Sequence, residues 1–184
     1  MSLLKSTLTQ YDLVQGCVRN ERRSQELLYK QYAQSLLAIA NAYTRNNQDS
    51  IEVLQDSFLK IFQNIHLYDS EKSTLYTWMR TIVVRTSIDF LRKGKNSIQS
   101  IEWEEQHDPM IEAEALHRMT ADQILNMLKQ LPETTRVVFN LFITEGYTHK
   151  EIGELLKISE GTSKWHLSEA RKFLISSLAA QERA

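Results

Sequence analysis

A run of aromatic and basic side chains between residues 76 and 93 has the composition of a surface that binds single-stranded nucleic acid. Aromatic rings can stack on unpaired bases while Arg and Lys hold the phosphates, and no bond is made or broken in such recognition. From Arg80 to Lys95 there are five positive charges and only Asp89 opposes them. The same pattern also fits a solvated basic face beside core aromatics. The residues that would bind are Tyr76, Trp78, Arg80, Arg85, Arg92 and Lys93.

A second stretch, from Thr148 to Leu178, predicts two helices joined by a tight turn. Thr148 with Glu151 three residues later is a capping box, so a first helix begins at Thr148 and ends near Lys157. Ser159 then offers the N-cap of a longer helix. A short helix, a short turn and a longer helix are typical of the helix-turn-helix, whose second helix can lie in the major groove of DNA. A plain helical hairpin has the same pattern.

Both predicted helices have an apolar face. In the first, Gly153 lies among the apolar positions, where a crossing helix could approach closely. In the second, one face carries Leu167, Ala170, Leu174 and Leu178, and another carries Lys164, Trp165, Ser168 and Lys172.

The elements that must position these residues are also helices, because five Gly, two Pro and the lack of alternating strand patterns give strands little support. We expect a helix over 7–18 with Leu8, Tyr11, Val14 and Val18 on one face. A second covers 21–45, with Asn46 and Asn47 as its stop. A third over 49–66 buries apolar residues and shows Glu52, Gln55, Asp56 and Lys60. Further helices run from Thr74, as N-cap, to Lys93, from 112 to 129 or 130, and onward from Pro132 in a first turn, with Val137, Val138, Leu141 and Phe142 buried.

Length and charge predict two small helical domains joined by a flexible acidic linker. The 184 residues suffice for two small domains. Residues 1–95 carry a net charge of +4, residues 96–118 carry −5, and residues 119–184 are neutral. The acidic, Pro-containing middle is predicted to be a linker between a domain over 1–95 and one over 119–184.

Several functional classes find no support in the sequence. The single cysteine, Cys17, excludes an intramolecular disulfide and a Cys-pair zinc site. There is no signal-peptide pattern and no apolar run long enough to span a membrane, so we expect a cytoplasmic protein. Gly-rich phosphate loops and metalloprotease or nucleophile-elbow motifs are missing, and the five histidines are scattered. We therefore expect no enzyme activity, no cofactor and no metal.

Two blocks of sequence, in order, resemble a known family: bacterial sigma factors of RNA polymerase, in the small extracytoplasmic-function (ECF) class. The segments 51–62 and 76–93 look like sigma region 2. Region 4 is resembled by Leu131-Pro-Glu, Val138-Phe, the segment 151–162 and Ala170-Arg-Lys-Phe-Leu. The resemblance covers residues 20 to 178.

This resemblance implies partners and roles. Region 2 would dock on the β′ clamp helices of core RNA polymerase through Leu54, Gln55, Asp56, Phe58 and Lys60. Unstacked bases of the promoter −10 element would be captured by the loop 68–74, including Tyr68, Asp69, Lys72 and Ser73, beside Tyr76, Trp78 and Arg80, while Arg85, Arg92 and Lys93 hold phosphates. Region 4 would contact the β flap and read the −35 element in duplex DNA through Thr162, Lys164, Trp165, Ser168, Glu169, Arg171 and Lys172. An anti-sigma factor is a further implied partner.

The sequence departs from the family pattern at several positions. Ser163 stands where the family usually has Val, which predicts a recognition helix that packs more loosely or sits slightly differently. Lys157 replaces the common turn Gly. Two other kinds of protein fit the helical pattern: a helix-turn-helix regulator that binds its operator alone as a dimer, and a helical mimic that binds the polymerase or an anti-sigma factor without reading DNA.

Overall fold

The computed structural model describes residues 9–93 and 126–181. All regular structure in these ranges is helical, which confirms the all-α prediction. The chain divides into two compact units, residues 1–90 and 91–184. The linker predicted over 96–118 and most of the helix predicted from 112 lie outside the described residues, although residues 126–128 are helical. No helix in the described ranges is both long and apolar enough to cross a membrane.

Four helices and one 3₁₀ turn are described in the first unit. They are α1 (Gln10–Val18), α2 (Arg22–Tyr43), α3 (Asn47–Asn64), the 3₁₀ turn Ile65–Leu67, and α4 (Leu75–Lys93). The core combines buried side chains from each helix, including Cys17, Leu28, Leu36, Ile61 and Met79. Burying one such apolar side chain contributes about 1.5 to 3 kcal/mol, so this core holds the exposed face of α4 in place.

Polar caps fix where these helices begin. Thr9 and Asp12 form a capping box at the start of α1. The Asn46 side chain accepts a hydrogen bond from the Asp49 amide, so Asn46 caps α3. The prediction that Asn46 and Asn47 end α2 was wrong, because α2 already ends at Tyr43 and Thr44 has an extended backbone. Asn46 instead begins the next helix, since its side-chain oxygen satisfies an amide at a helix start. Thr74 caps the start of α4 as predicted, with its hydroxyl accepting from the Thr77 amide at 3.2 Å.

The predicted inner face of α1 was also partly wrong. Tyr11 is 72% exposed and Val18 is 38% exposed, whereas Leu13, Val14 and Cys17 are buried. The helix is rotated by one position from the predicted stripe because Gly16 faces α2. An added Cβ on Gly16 would meet the Ser24 side chain at 2.0 Å, so the two helices approach most closely along that side.

The second unit contains α5 (Glu133–Phe139), a π-helical turn (Asn140–Thr144), α6 (His149–Leu156) and α7 (Glu160–Gln181). Helix α7 packs against both α5 and α6. Val137, Val138 and Leu141 are buried as predicted, while Phe142 is half-buried. Pro132 is the N-cap of α5 rather than a first-turn residue, which corrects its position by one.

The two helix caps that the sequence predicts on either side of α6 are confirmed. Thr148 and Glu151 form the capping box, and the Ser159 hydroxyl accepts from the Thr162 amide at 2.9 Å. Helix α6 ends at Leu156, and the C-cap residue Lys157 has a φ of 59°, the left-handed conformation that favours Gly. Gly153 is closely approached by backbone, as predicted: an added Cβ would meet the Ile158 carbonyl at 2.8 Å and the Glu160 amide nitrogen at 3.7 Å. The tightest contact comes from the turn, and the next one from the first residue of α7.

Candidate nucleic-acid interface

The basic and aromatic residues of α4 lie on two different sides of the helix. Trp78, Arg85 and Arg92 recur every seven residues, which is close to two helical turns, so they share one side. Arg85 and Arg92 are exposed, as is neighbouring Lys93. Tyr76 is directed elsewhere, with its ring stacked on Tyr32 at a centroid distance of 6.4 Å. The structure therefore separates Tyr76 from the stripe formed by Trp78, Arg85 and Arg92.

The positive charges of this stripe are available for a ligand. Among the residues that the structure describes, no carboxylate forms an ion pair with Arg85, Arg92 or Lys93. Asp89, the one acid predicted to oppose them, is 3.6 Å from the amino group of Lys60 instead. Unpaired surface cations attract phosphate and release its counterions on binding.

The loop 68–74 is held by its own polar contacts. The Tyr68 hydroxyl donates to the Ser73 carbonyl at 3.2 Å, and Asp69 accepts from the Glu71 amide at 2.9 Å. That bond, together with the Lys72 ammonium 3.3 Å away, lowers the pKa of Asp69. The Tyr68 ring lies 5.8 Å from the ring of Trp78. The loop and the α4 stripe thus meet at Trp78, and both are partly exposed there.

The residues predicted to bind a protein partner on α3 divide between the core and the surface. Leu54 and Phe58 are only 4% and 3% exposed, so they support the face from beneath. Gln55 and Asp56 are exposed. Lys60 is half-buried and donates to the Thr86 hydroxyl at 3.1 Å. The sequence missed Leu59, which lies beside Gln55 and Asp56 and is 61% exposed. Its helical position one turn beyond two polar residues was the available signal.

Helix α7 presents a smaller polar surface than the sequence predicted. Thr162 is 2% exposed and Ser168 is 9% exposed, so neither hydroxyl lies on the open face. Lys164 and Lys172 are exposed, and Trp165, Glu169 and Arg171 are half-buried. Lys164 is paired with Glu160 at 3.0 Å and Lys172 with Glu169 at 2.8 Å. The burial of Thr162 follows from its capping contact, since its hydroxyl is 2.8 Å from that of Ser159.

Two histidines join the inner face of α7 to its neighbours. His149 Nδ1 is hydrogen bonded to Ser163 Oγ, and His166 Nδ1 to Thr135 Oγ1, each at 2.9 Å. Burial lowers the pKa of His166 from 6.5 to about 4, against a smaller opposing influence of Glu169. Ser163 is fully buried. The sequence did not predict these pairs because the partners are 14 and 31 residues apart.

In the described ranges, no group of three or more His, Cys, Asp or Glu residues could hold a metal ion. What the exposed residues offer is chemistry for nucleic-acid recognition: cations and a half-exposed ring on α4, and paired charges on a helix that follows a tight turn.

Comparison with known families matches both units. The family Sigma-70 region 2 matches residues 28–97, and Sigma-70, region 4 matches residues 121–174. The RNA polymerase sigma-H factor of Pseudomonas aeruginosa is 24% identical over 178 residues, covering 90% of this chain and 92% of that protein. The RNA polymerase sigma factor SigV of Bacillus subtilis is 26% identical over 151 residues, covering 82% of this chain and 89% of that protein.

Another relative is the ECF RNA polymerase sigma factor SigM of Bacillus subtilis, 23% identical over 80% of this chain and 90% of that protein. Two solved structures are similar at 18% identity and a TM-score of 0.49: CnrH with the cytosolic domain of CnrY, and RpoE with the anti-sigma factor NepR from Bartonella quintana. They cover 91% and 84% of this chain, and 96% of each solved chain is covered.

The two matched regions define a sigma factor of RNA polymerase. The chain belongs to the sigma-70 family, and its relatives assign it to the ECF class within that family. Each of these relatives is named as a sigma factor of RNA polymerase.

Proposed function

We propose that this sigma factor binds core RNA polymerase and directs initiation at promoters by separate contacts to the −10 and −35 elements. The observation that carries the proposal is the side of α4 on which Trp78, Arg85 and Arg92 align, because those cations have no acidic partner among the described residues. Such a surface suits an unpaired strand, whose bases stack on a ring and whose phosphates meet the cations.

The −10 element would be opened at the junction of α4 with the loop 68–74. Bases that leave the duplex would be held by the loop residues Tyr68, Asp69, Lys72 and Ser73 and by Trp78. Tyr76 and Arg80, on the other side of α4, would contribute from there. Arg85, Arg92 and Lys93 would hold the phosphates, which position the strand without specifying its sequence. Opening needs no ATP, because the open strand gains contacts that the duplex cannot make, and these shift the equilibrium.

The −35 element would be read by the exposed side of α7 in the major groove. Lys164 suits the acceptors of guanine and Glu169 suits the amino group of cytosine. Trp165, Arg171 and Lys172 would complete the contacts. Thr162 and Ser168, which are buried, would contribute through their backbone positions or after a local adjustment.

Core polymerase would dock on α3 through Gln55, Asp56 and Lys60, with Leu54 and Phe58 beneath them. We add Leu59, because an exposed apolar side chain between polar ones is typical of an interface centre. This face would meet the β′ clamp helices, and region 4 would meet the β flap. An anti-sigma factor would compete for the same surfaces.

The domain assignment under this proposal is 1–95 for core binding and −10 melting, 96–118 for the linker and 119–184 for −35 recognition. The protein would act in the cytoplasm and would have no catalytic activity of its own.

Run-off transcription with core polymerase on a promoter library tests the proposal. Wild-type protein should yield discrete start sites with shared sequences about 10 and 35 base pairs upstream. A dimer that binds DNA without polymerase would support the regulator instead. Polymerase binding without any transcript, under conditions where another sigma factor works, would support the mimic.

A further inference from the structure

The inner face of α7 is cross-linked to two other helices by imidazole–hydroxyl hydrogen bonds on successive turns. Ser163, in the first turn of α7, is hydrogen bonded to His149 of α6. His166, one turn later, is hydrogen bonded to Thr135 of α5. Ser163, His166 and Thr135 are each at most 4% exposed. The His166–Thr135 bond therefore lies inside the second unit, and the Ser163–His149 bond is partly buried because His149 is half-buried.

Stability alone gives little reason for these bonds. A buried hydrogen bond contributes little net stability, and an apolar pair of the same shape can serve equally well. The site even carries a cost, because His166 Nε2 is buried without a hydrogen-bond partner in the part of the chain that the structure describes.

These two hydrogen bonds fix the orientation of α7. The neighbouring buried side chains of α7, Leu167, Ala170 and Leu174, are apolar, and apolar burial depends on area rather than on angle. A hydrogen bond weakens steeply when its distance or angle changes. Two such bonds to different helices, one turn apart, oppose both a slide of α7 along its axis and a roll about it. The His149 ring is further restrained by stacking on Phe142 at a centroid distance of 4.5 Å.

We propose that the Ser163–His149 and His166–Thr135 pairs are positioning contacts that set which base pairs of the −35 element α7 reaches. The inference rests on the proposed function. Lys164 follows Ser163 directly, and Glu169 lies one turn beyond His166, so a small roll of the helix would move both away from their base edges. The four residues act on DNA only through the placement of α7.

The test removes single buried hydroxyls from the full-length protein. Ser163→Ala and Thr135→Val each delete one hydroxyl, and Ser176→Ala deletes an exposed hydroxyl of the same helix as the matched control. Transcription with core polymerase is measured on a library in which the −35 base pairs vary and the −10 element is fixed. Each inner variant should change discrimination at one or two −35 base pairs about three- to tenfold, and Ser176→Ala should not.

A double variant separates positioning from folding. His149→Phe with Ser163→Val replaces the polar pair by an apolar one. The melting temperature of this double variant should be closer to that of the wild type than the melting temperature of Ser163→Ala is. If it also regains the wild-type −35 preference, or if both single variants keep that preference, the proposal is overturned. A wild-type protein that transcribes without any −35 preference would instead refute −35 reading by α7, which is a different result.

Discussion

Helices α4 and α7 both carry Lys, Arg and Trp, but they treat these residues in opposite ways. On α4 the cations at 85, 92 and 93 have no acidic partner within the described residues, and Trp78 is half-exposed beside a loop. On α7 the lysines are paired with Glu160 and Glu169, and the inner face is fixed by buried hydrogen bonds. One helix offers charge and a stacking surface, and the other offers a fixed arrangement of polar groups.

The difference matches two tasks in promoter recognition. An unpaired strand is flexible, so its binding site needs attraction and aromatic surface more than fixed geometry. A duplex presents its donors and acceptors at fixed positions, so its reader must hold its own groups equally still. We therefore expect strand capture to depend on the first unit and the register on the −35 element to depend on the second.

The largest effect on transcription is expected for Trp78→Ala. Loss of one stacked base costs about 1 to 3 kcal/mol, which corresponds to roughly a 5- to 150-fold loss of open complex. Transcription from a fully duplex promoter should fall by this factor, and transcription from a template with a pre-melted −10 bubble should fall much less. Trp78→Phe, which keeps an aromatic ring against Tyr68, is the control. Equal losses on both templates would remove Trp78 from the melting step.

The second prediction concerns the stability of the second unit at low pH. The pKa of His166 is lowered to about 4, so the unfolded chain binds more protons than the folded chain between pH 6.5 and 4. The contribution of neutral His166 to the free energy of unfolding is fully present above pH 6.5. It is lost as the pH falls toward 4, which lowers the free energy of unfolding by about 2 to 3 kcal/mol. Chemical denaturation followed by Trp fluorescence measures it. His166→Asn should flatten this part of the pH profile, and an unchanged slope would contradict the buried neutral imidazole.

A smaller effect is expected for Glu169→Gln. If Glu169 accepts from a cytosine amino group, the change should relax the preference at one −35 base pair by about 1 to 2 kcal/mol. The low end is favoured because the same carboxylate is bound to Lys172. Glu154→Gln, at an exposed position of α6, is a charge-matched control. Binding to duplexes that vary at one position is the measurement, and an unchanged preference would exclude Glu169 from base reading.

The smallest effect is expected in the salt dependence of promoter affinity, which distinguishes the cations of α4 from those of α7. Each cation that loses contact with a phosphate lowers the slope of log affinity against log salt by about 1. Arg85→Gln with Arg92→Gln should therefore lower the slope for promoter binding by about 2. Lys164→Gln with Lys172→Gln should lower it less, because those lysines must first leave Glu160 and Glu169. Similar slopes for both double variants would contradict the contrast between α4 and α7.

The helices and their starts could be predicted from sequence because their causes are local. The capping box at Thr148 and the cap at Ser159 each act within three residues, so a pattern search finds them. The inner and outer faces were less predictable. Tyr11 was placed inside because it fits an apolar spacing, but the closest approach to α2 lies at Gly16. That contact is tertiary and leaves no local signal.

The candidate sites divide in the same way. The basic and aromatic composition of α4 could be predicted from the sequence. The separation of Tyr76 from Trp78 could not, because it depends on the ring of Tyr32 on α2. Thr162 and Ser168 were assigned to the DNA side from the family resemblance and the polar spacing of α7, but both are buried, and the Thr162 hydroxyl lies 2.8 Å from that of the capping residue Ser159. The His149–Ser163 and His166–Thr135 pairs join residues distant in sequence, so only the fold brings them together.

Permanganate reactivity of unpaired thymines in the −10 region tests the division of labour most directly. Wild-type protein with core polymerase is titrated against a duplex promoter, and both the half-saturating concentration and the maximal reactivity are recorded. We expect Trp78→Ala to lower the maximum, and Lys164→Gln to raise the half-saturating concentration and leave the maximum unchanged. A Lys164→Gln protein that binds normally but cannot open DNA, or a Trp78→Ala protein that opens it fully once bound, would contradict this division between α4 and α7.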